Sequence, residues 1–273
     1  MNEEILKQKL LEIEEKNYEL EAEGDYYKLA LEMMKHIGSL DAELRDNLIY
    51  GTMFKWITND KFNFEQLMEV LAIILDDKHL FYELYEQNAD AVYTRTFSVL
   101  ILALIIYKHR EQNFLSEKAL YEVKNRLLEY MNNEKDVRGF VEGRGWAHSA
   151  AHTADAVDEI VRCSCFNKED LMDVLAAIKA KVCIGYYVYI DEENERLITA
   201  VEGILGRGML SNEEILCWLQ EFTEERPFSD KIIKYHLKVN VKDFLRSLYF
   251  RLLDKQEWEV VIKGIQELLN KLK

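Results

Sequence analysis

Proline and glycine are scarce in this sequence. It contains one Pro and 11 Gly among its 273 residues, where average usage would give about 14 Pro and about 19 Gly. Both residues interrupt regular structure or supply the backbone conformations of tight turns. Their scarcity favours helices joined by short connections over a fold rich in β-turns.

Long hydrophobic runs are also lacking. The longest spans residues 97–107 and is broken only by Ser98, which is well short of the ~18 apolar residues of a membrane-spanning helix. We therefore expect a helix buried within the protein and no membrane partner. The first residues are charged from position 3 onward, which argues against a signal peptide. The four cysteines include no Cys-x-x-Cys pair, so we expect free thiols and a cytoplasmic protein.

Positive charge is in deficit. The chain has 35 Lys and Arg against 50 Asp and Glu, a formal net charge of −15. Binding to a phosphate backbone requires a surplus of Lys and Arg, so this balance argues against a nucleic-acid partner. The sequence also lacks a Walker phosphate loop, a dinucleotide-binding glycine pattern and a Gly-x-Ser-x-Gly elbow. ATP, NAD and serine-hydrolase chemistry are therefore unsupported.

Helix starts follow capping patterns along the chain. Asn63 precedes Gln66 by three residues, and Ser211 precedes Glu214 by three, as in a capping box. With further starts near residues 90, 145 and 191, two helices occupy roughly 40–50 residues, close to the repeat length of HEAT and armadillo proteins. We predict an all-α fold, an α/α superhelix of stacked helix pairs in a single domain over residues 1–273. An irregular helical bundle is the alternative. Residues 182–190 fit a buried helix end better than a short strand.

The segment 134–159 contains the most unusual residue pattern. Three glycines (Gly139, Gly143 and Gly145) lie within seven residues, next to Arg138 and Arg144. A glycine-rich turn at a helix N-terminus, flanked by arginines, can bind a carboxylate or phosphate. Alternatively, the arginines cap neighbouring helices or pair with acidic side chains, and this second interpretation is favoured.

A polar stripe is expected on the helix after Gly145. His148, His152, Asp155 and Glu159 follow one another at intervals of four, three and four residues, which places them on one helical face. Three interpretations remain open. His148, His152 and Asp155 could bind a divalent metal, or His152 oriented by Asp155 could form a metal-free acid/base or ligand site. The third, a buried hydrogen-bonded network, is favoured because buried polar clusters are commonly structural.

Other candidate binding residues lie outside this stripe. Trp146 could stack on a ligand or pack under the preceding loop. Arg95 opens the apolar helix and needs a carboxylate partner, for which Asp46, Asp155 and Glu195 are candidates. Glu195 and Arg196 belong to an acidic segment that opens a further helix.

The segment EKDVRGFVEGRGWAHSAAHTAD, supported by SLDAELRDNLIY, YTRTFSVLIL and ENERL, resembles an uncharacterised family of Gram-positive bacteria that is classified as a domain of unknown function. The resemblance implies a helical, HEAT-like fold but no activity or cofactor. It groups polar residues that would form one site on a concave surface: Asp41, Arg45, Asp46, Arg95, Arg138, Trp146, His148, His152, Asp155, Glu195 and Arg196.

Two functions follow as hypotheses. The first is a binding or scaffold protein whose groove holds a small ligand or a protein segment over the His/Asp/Arg cluster, since helical arrays leave an extended concave face. The second is a metal-dependent or acid/base hydrolase that uses His148, His152 and Asp155.

Overall fold

The structure is a computed structural model that describes residues 1–21, 24–224 and 230–272. It is 68% helical, and the all-α, helical-repeat fold class predicted from the sequence is confirmed. The chain divides into two compact units, Met1–Ile160 and Val161–Lys273. The single-domain assignment over residues 1–273 stays a prediction.

Over its described residues, 1–21 and 24–160, the first unit contains six α-helices, a π-helical segment, a two-stranded hairpin and most of a seventh α-helix. In chain order they are α1 (Glu3–Glu15), α2 (Tyr26–Met34), the π-helical segment (Glu43–Ile49), α3 (Tyr50–Thr58), α4 (Phe64–Ile74), α5 (Ala91–Gln112), α6 (Glu117–Asn133), β1 (Phe140–Val141), β2 (Gly145–Trp146) and α7 (Ser149–Val161).

Helix α5 is the core of this unit. Of its 22 residues, 17 are buried, and α3 and α4 both pack against it. It is the one helix among the described residues that is long and apolar enough to cross a membrane, and 89% of its apolar window is buried inside the structure. Burial on all sides is what the apolar run at residues 97–107 predicts.

The second unit contains the remaining helices. They are α8 (Lys168–Val182), α9 (Glu193–Leu205), α10 (Asn212–Gln220), a 3₁₀ turn (Glu221–Thr223), α11 (Lys231–Leu252), a 3₁₀ turn (Gln256–Trp258) and α12 (Glu259–Lys271). Helix α11 packs against α8, α9 and α12, and α10 packs against α12.

Local capping chemistry sets several of the helix starts. Both predicted capping boxes form, with Asn63 accepting from the backbone of Gln66 and Ser211 from that of Glu214. Two predicted details are wrong. The helix expected to start near Gly145 begins at Ser149, after the hairpin. Residues 183–190 form neither strand nor helix but an irregular segment.

Two side chains of α11 hold that irregular segment, namely the buried Asn240 and His236, whose Nδ1 lies 3.2 Å from Gly185 O. Asn240 donates to Ile184 O at 3.0 Å and to Tyr187 O at 2.9 Å, and it accepts from Tyr189 N at 3.1 Å. Since a buried backbone polar group must find a partner, Asn240 replaces the hydrogen bonds that a strand or helix would have supplied.

Candidate functional site

The motif at residues 138–149 folds as a hairpin that leads into α7. Its strands pair antiparallel, with Phe140 opposite Trp146 and Val141 opposite Gly145. Cross-strand neighbours lie on the same face of a hairpin. The pairing therefore places the Phe140 and Trp146 side chains together, and they are 57% and 38% exposed.

Two glycines of the hairpin have left-handed backbones, with φ of +73° at Gly143 and +77° at Gly145. Side chains rarely adopt this conformation. Gly143 faces open space, whereas a Cβ atom at Gly145 would lie 2.7 Å from both Asp46 Oδ2 and Ala42 Cβ. Gly145 thus allows the hairpin to lie directly against the π-helical segment.

Arg45 of the π-helical segment holds the hairpin in place. Its side chain is fully buried. Nη2 donates to Arg144 O at 2.6 Å and contacts Asp46 Oδ1 at 2.7 Å, while Nη1 donates to Ser39 O at 2.6 Å. Asp46 Oδ2 in turn accepts from Trp146 N at 3.3 Å. A buried ion pair therefore binds the backbone on both sides of Gly145.

The same ion pair sits on aromatic rings of α5. The Arg45 guanidinium carbon lies 4.3 Å from the Tyr93 ring centre and 4.9 Å from that of Phe97, within cation–π range. Burial raises the pKa of Asp46, and the Arg45 charge opposes that shift. The pair is thus held at a desolvation cost, offset by hydrogen bonds and ring contacts.

A continuous series of ring contacts, here called the ring series, runs from the hairpin surface to the core. Phe140 meets Trp146 edge-on at 5.2 Å, and Trp146 stacks on His148 at 4.6 Å with an interplanar angle of 22°. His148 contacts His152 at 5.6 Å, and His152 contacts Phe97 edge-on at 5.3 Å. These separations are typical of favourable aromatic contacts.

His148 is the junction of hairpin and helix. The predicted four-residue helical stripe is wrong at this position, because His148 precedes α7 and has φ of +47°. Its backbone N–H donates to Arg138 O at 2.8 Å. A left-handed conformation in a non-glycine residue costs free energy and is concentrated at functional sites.

His152 lies on α7 and is anchored to α5. Its Nδ1 is 2.9 Å from Thr96 Oγ1. Asp155 and Glu159 follow on α7, and Glu159 forms an ion pair with Arg110. In the described part of the chain, no group of three or more His, Cys, Asp or Glu is arranged to hold a metal ion. The metal interpretation of His148, His152 and Asp155 stays a prediction without geometric support.

Arg95 belongs to a buried ion pair rather than to the hairpin. Its Nε and Nη2 donate to the two Glu134 oxygens at 2.6 and 3.1 Å, and its Nη1 donates to Tyr82 O at 2.8 Å. Glu134 also accepts from Tyr130 Oη at 3.1 Å and Asp136 N at 2.9 Å. The partner of Arg95 is therefore Glu134, which sequence reasoning did not select.

The two arginines beside the glycines are engaged by carboxylates. Arg138 binds both oxygens of Asp136 through Nε, at 2.8 and 3.1 Å, and donates to Ala89 O at 2.7 Å. Arg144 Nε lies 4.0 Å from Asp90 Oδ1, and both side chains are nearly half exposed. This is the pairing with acidic side chains that the sequence favoured over an anion site.

Glu195 and Arg196 lie on α9 in the second unit. Glu195 Oε2 accepts from Arg251 at 3.2 Å, and Arg251 also forms an ion pair with Glu202. Arg196 is exposed. The first unit therefore brings together Arg45, Asp46, Trp146, His148 and His152, whereas Glu195 and Arg196 belong to a separate unit.

Three residues that sequence reasoning missed complete the site. Tyr93 and Phe97 are four residues apart on α5 and are both buried, so their helical spacing was a readable signal of a shared face. Thr96 stood beside Arg95 in a segment already selected, but nothing in the sequence indicated that its hydroxyl would meet a histidine.

Comparison with known proteins defines the family. Residues 80–250 match the family described as "Protein of unknown function (DUF2785)", which covers more than half of the chain and includes α5, the hairpin and α7. The protein belongs to this family. No curated protein and no solved structure matches it.

Proposed function

We propose that this is a binding protein whose first unit recognises a planar aromatic or heteroaromatic group, carried by a small molecule or a protein segment. The observation that carries the proposal is the stacked Trp146–His148 pair, in which an indole with 38% exposure rests on an imidazole at 4.6 Å. Such a ring offers a flat apolar surface for a second ring.

The rigidity of the support favours binding. The backbone that carries the Trp146 indole is fixed by strand pairing, by Asp46 and by the Arg45 contact to the backbone of Arg144. Holding an exposed ring in one geometry lowers the entropy lost when a ligand binds. The hairpin is held by a fully buried arginine, a glycine without room for Cβ and a left-handed histidine. Holding such features costs folding free energy, and features of this kind cluster at functional sites.

The surroundings favour a ring over a strongly charged ligand. Arg138 is neutralised by Asp136, and Arg45 is neutralised by Asp46. Phe140 supplies a second exposed ring, edge-on to the indole. A planar group would therefore gain one stacking contact and one edge contact without displacing an ion pair.

The hydrolase alternative stays a prediction and has a direct test. Elemental analysis of protein purified without chelator, alongside a well-folded His152→Ala variant, measures bound metal. Near-stoichiometric metal that is lost in the variant would favour a metal-dependent hydrolase over the binding function. Equal metal in both proteins would argue against histidine ligation.

Saturation-transfer NMR with matched probes tests the binding proposal. Benzamide, nicotinamide and N-acetyltryptophanamide are the planar probes, and cyclohexanecarboxamide is the saturated control, so that no probe carries a charge. We expect the planar probes to bind. The Trp146→Ala substitution should lower the affinity for them roughly two- to twelve-fold, which corresponds to about 0.5–1.5 kcal/mol for an aromatic pair. Trp258→Ala, in the second unit, is the matched control. Equal binding of the saturated probe, or no effect of Trp146→Ala, would contradict the proposal.

We also infer a bacterial, Gram-positive origin and a cytoplasmic location. The motif at residues 134–155 supports the first inference through its resemblance to family members. The second is supported by the free thiols and the acidic composition. Fractionation of a native host, followed by immunoblotting, tests the location.

A further inference from the structure

A cleft of about 950 Å³ opens in the first unit, and its lining includes no residue of the ring series. Its walls come from α2 and the turn that follows it, from the end of α4 and its following loop, and from Thr94 of α5. Ligand sites for small molecules commonly enclose roughly 300–1,000 Å³. This cleft is at the upper end of that range.

The inner surface of the cleft is largely apolar. Leu31, Met34, Ile37, Leu40 and Ile73 line it. These side chains come from α2, the turn after it and α4, so the apolar surface belongs to no single helix. Such a surface takes the body of a ligand rather than its charged group.

Gly38 fixes the shape of this surface. A Cβ atom at this position would lie 1.9 Å from Thr94 Oγ1. The turn after α2 therefore packs its backbone directly onto α5. No side chain can project from residue 38 toward α5, and the turn is held as a fixed part of the wall.

The carboxylates around the cleft are all engaged. Glu32 pairs with Lys35 at 2.6 Å, and this contact contributes most to lowering the pKa of Glu32 to about 2. Asp76 Oδ1 lies 2.8 Å from His79 Nδ1. Glu3 lies 3.9 Å from the His36 ring. Each acid on the rim thus already faces a basic group.

Two lysines on the rim are not engaged in this way. Lys28 and Lys78 line the cleft and are exposed, and their ammonium groups have no hydrogen-bond or ion-pair partner among residues 1–21, 24–224 and 230–272. The cleft is lined by three lysines (Lys28, Lys35 and Lys78) and three carboxylates (Glu3, Glu32 and Asp76), so its rim is formally neutral in a chain of net charge −15, and Lys28 and Lys78 present their ammonium groups above the apolar surface. Lysine can supply such a charge to an anionic group as a point contact.

We propose that this cleft binds an amphipathic anion, a single hydrocarbon chain ending in one carboxylate or comparable anionic group. The chain lies against the apolar surface, and the anion meets Lys28 and Lys78 at the rim. The proposal concerns residues separate from the hairpin and does not depend on the ring-binding function.

Decanoate is the probe, and decanol is its uncharged counterpart. Isothermal titration calorimetry on the full chain is expected to show binding of decanoate. The double variant Lys28→Met/Lys78→Met should weaken decanoate about five-fold, the range of two exposed ion pairs, and leave decanol unchanged. Lys118→Met, an exposed lysine of α6, is the matched control and should change neither affinity.

Two further variants separate the outcomes. Ile73→Trp places a larger side chain at the apolar surface and should lower the affinity for both decanoate and decanol. Trp146→Ala should change neither affinity. Failure of the hairpin proposal and failure of this one are therefore distinguishable. The proposal is overturned if decanoate does not bind, or if the Lys28→Met/Lys78→Met variant lowers the affinity for decanol as much as that for decanoate. Binding of anionic phosphatidylglycerol vesicles without binding of monomeric decanoate would also overturn it.

Discussion

The Arg95–Glu134 pair gives the most quantitative prediction. Both side chains are 4% exposed, and two hydrogen bonds join them. Arg95→Met keeps an apolar stem of similar length but removes the guanidinium. The Glu134 carboxylate then stays buried without its guanidinium partner, while the Tyr130 hydroxyl and the Asp136 amide still donate to it.

Removing one partner of a buried ion pair costs about 3–5 kcal/mol of unfolding free energy. In a unit of 160 residues, that corresponds to a fall in Tm of roughly 6–20 °C. Removing both charges, in Arg95→Met/Glu134→Leu, should restore much of this loss, because two matched apolar groups carry no unpaired charge.

Circular dichroism during thermal and urea unfolding measures these changes. Arg246→Met provides the control, since its ion pair with Asp243 is exposed and should change stability by no more than about 0.5 kcal/mol. A loss below about 1 kcal/mol in Arg95→Met, or a double variant no more stable than the single one, would refute the structural role. Arg95 would then return to the candidate ligand-binding residues.

Three further predictions concern single positions. Gly145→Ala should destabilise the protein by about 2–4 kcal/mol, because backbone strain at positive φ adds to a steric clash. Gly143 faces open space, so Gly143→Ala should cost only about 1–2 kcal/mol from backbone strain. Thermal unfolding of the two variants measures the difference. Burial lowers the pKa of His109 from 6.5, so its stabilising contribution is complete above pH 6.5 and is lost as the pH falls through the lowered native value; urea unfolding from pH 7.5 to 5 should show a slope that is absent in His109→Leu. Asn240→Leu leaves buried backbone groups without partners and should cost at least about 2 kcal/mol; an unchanged urea midpoint would contradict this.

Local features were predictable from the sequence. Asn63 and Gln66 are three residues apart, so their capping box needs no other part of the chain. The apolar run in α5 required only composition, because a helix without a polar face must be covered on all sides. The apolar residues Leu67, Val70, Leu71 and Ile74 of α4 recur at the spacing of one helical face, and all four are buried.

The hairpin was not predictable in the same way. Its strands are two residues long, too short for an alternating pattern, and helix-forming residues follow at once. What holds it is Arg45, which is 99 residues from the carbonyl it binds on Arg144. The predicted partners of Arg95 were wrong for a similar reason. The sequence contains several candidate carboxylates, and no local pattern distinguishes Glu134 from the others.

The sequence by itself determined the all-α class, the positions of the capped helices and the motif that carries the candidate site. These depend on hydrogen bonds and side-chain periods within a few residues. Tertiary structure alone decided that His148 leaves the helix to stack on Trp146, that Arg45 rather than Arg95 supports the hairpin, and that a cleft opens between α2 and α4. Each of these depends on contacts between segments distant in sequence, where burial selects one partner among several that are chemically equivalent.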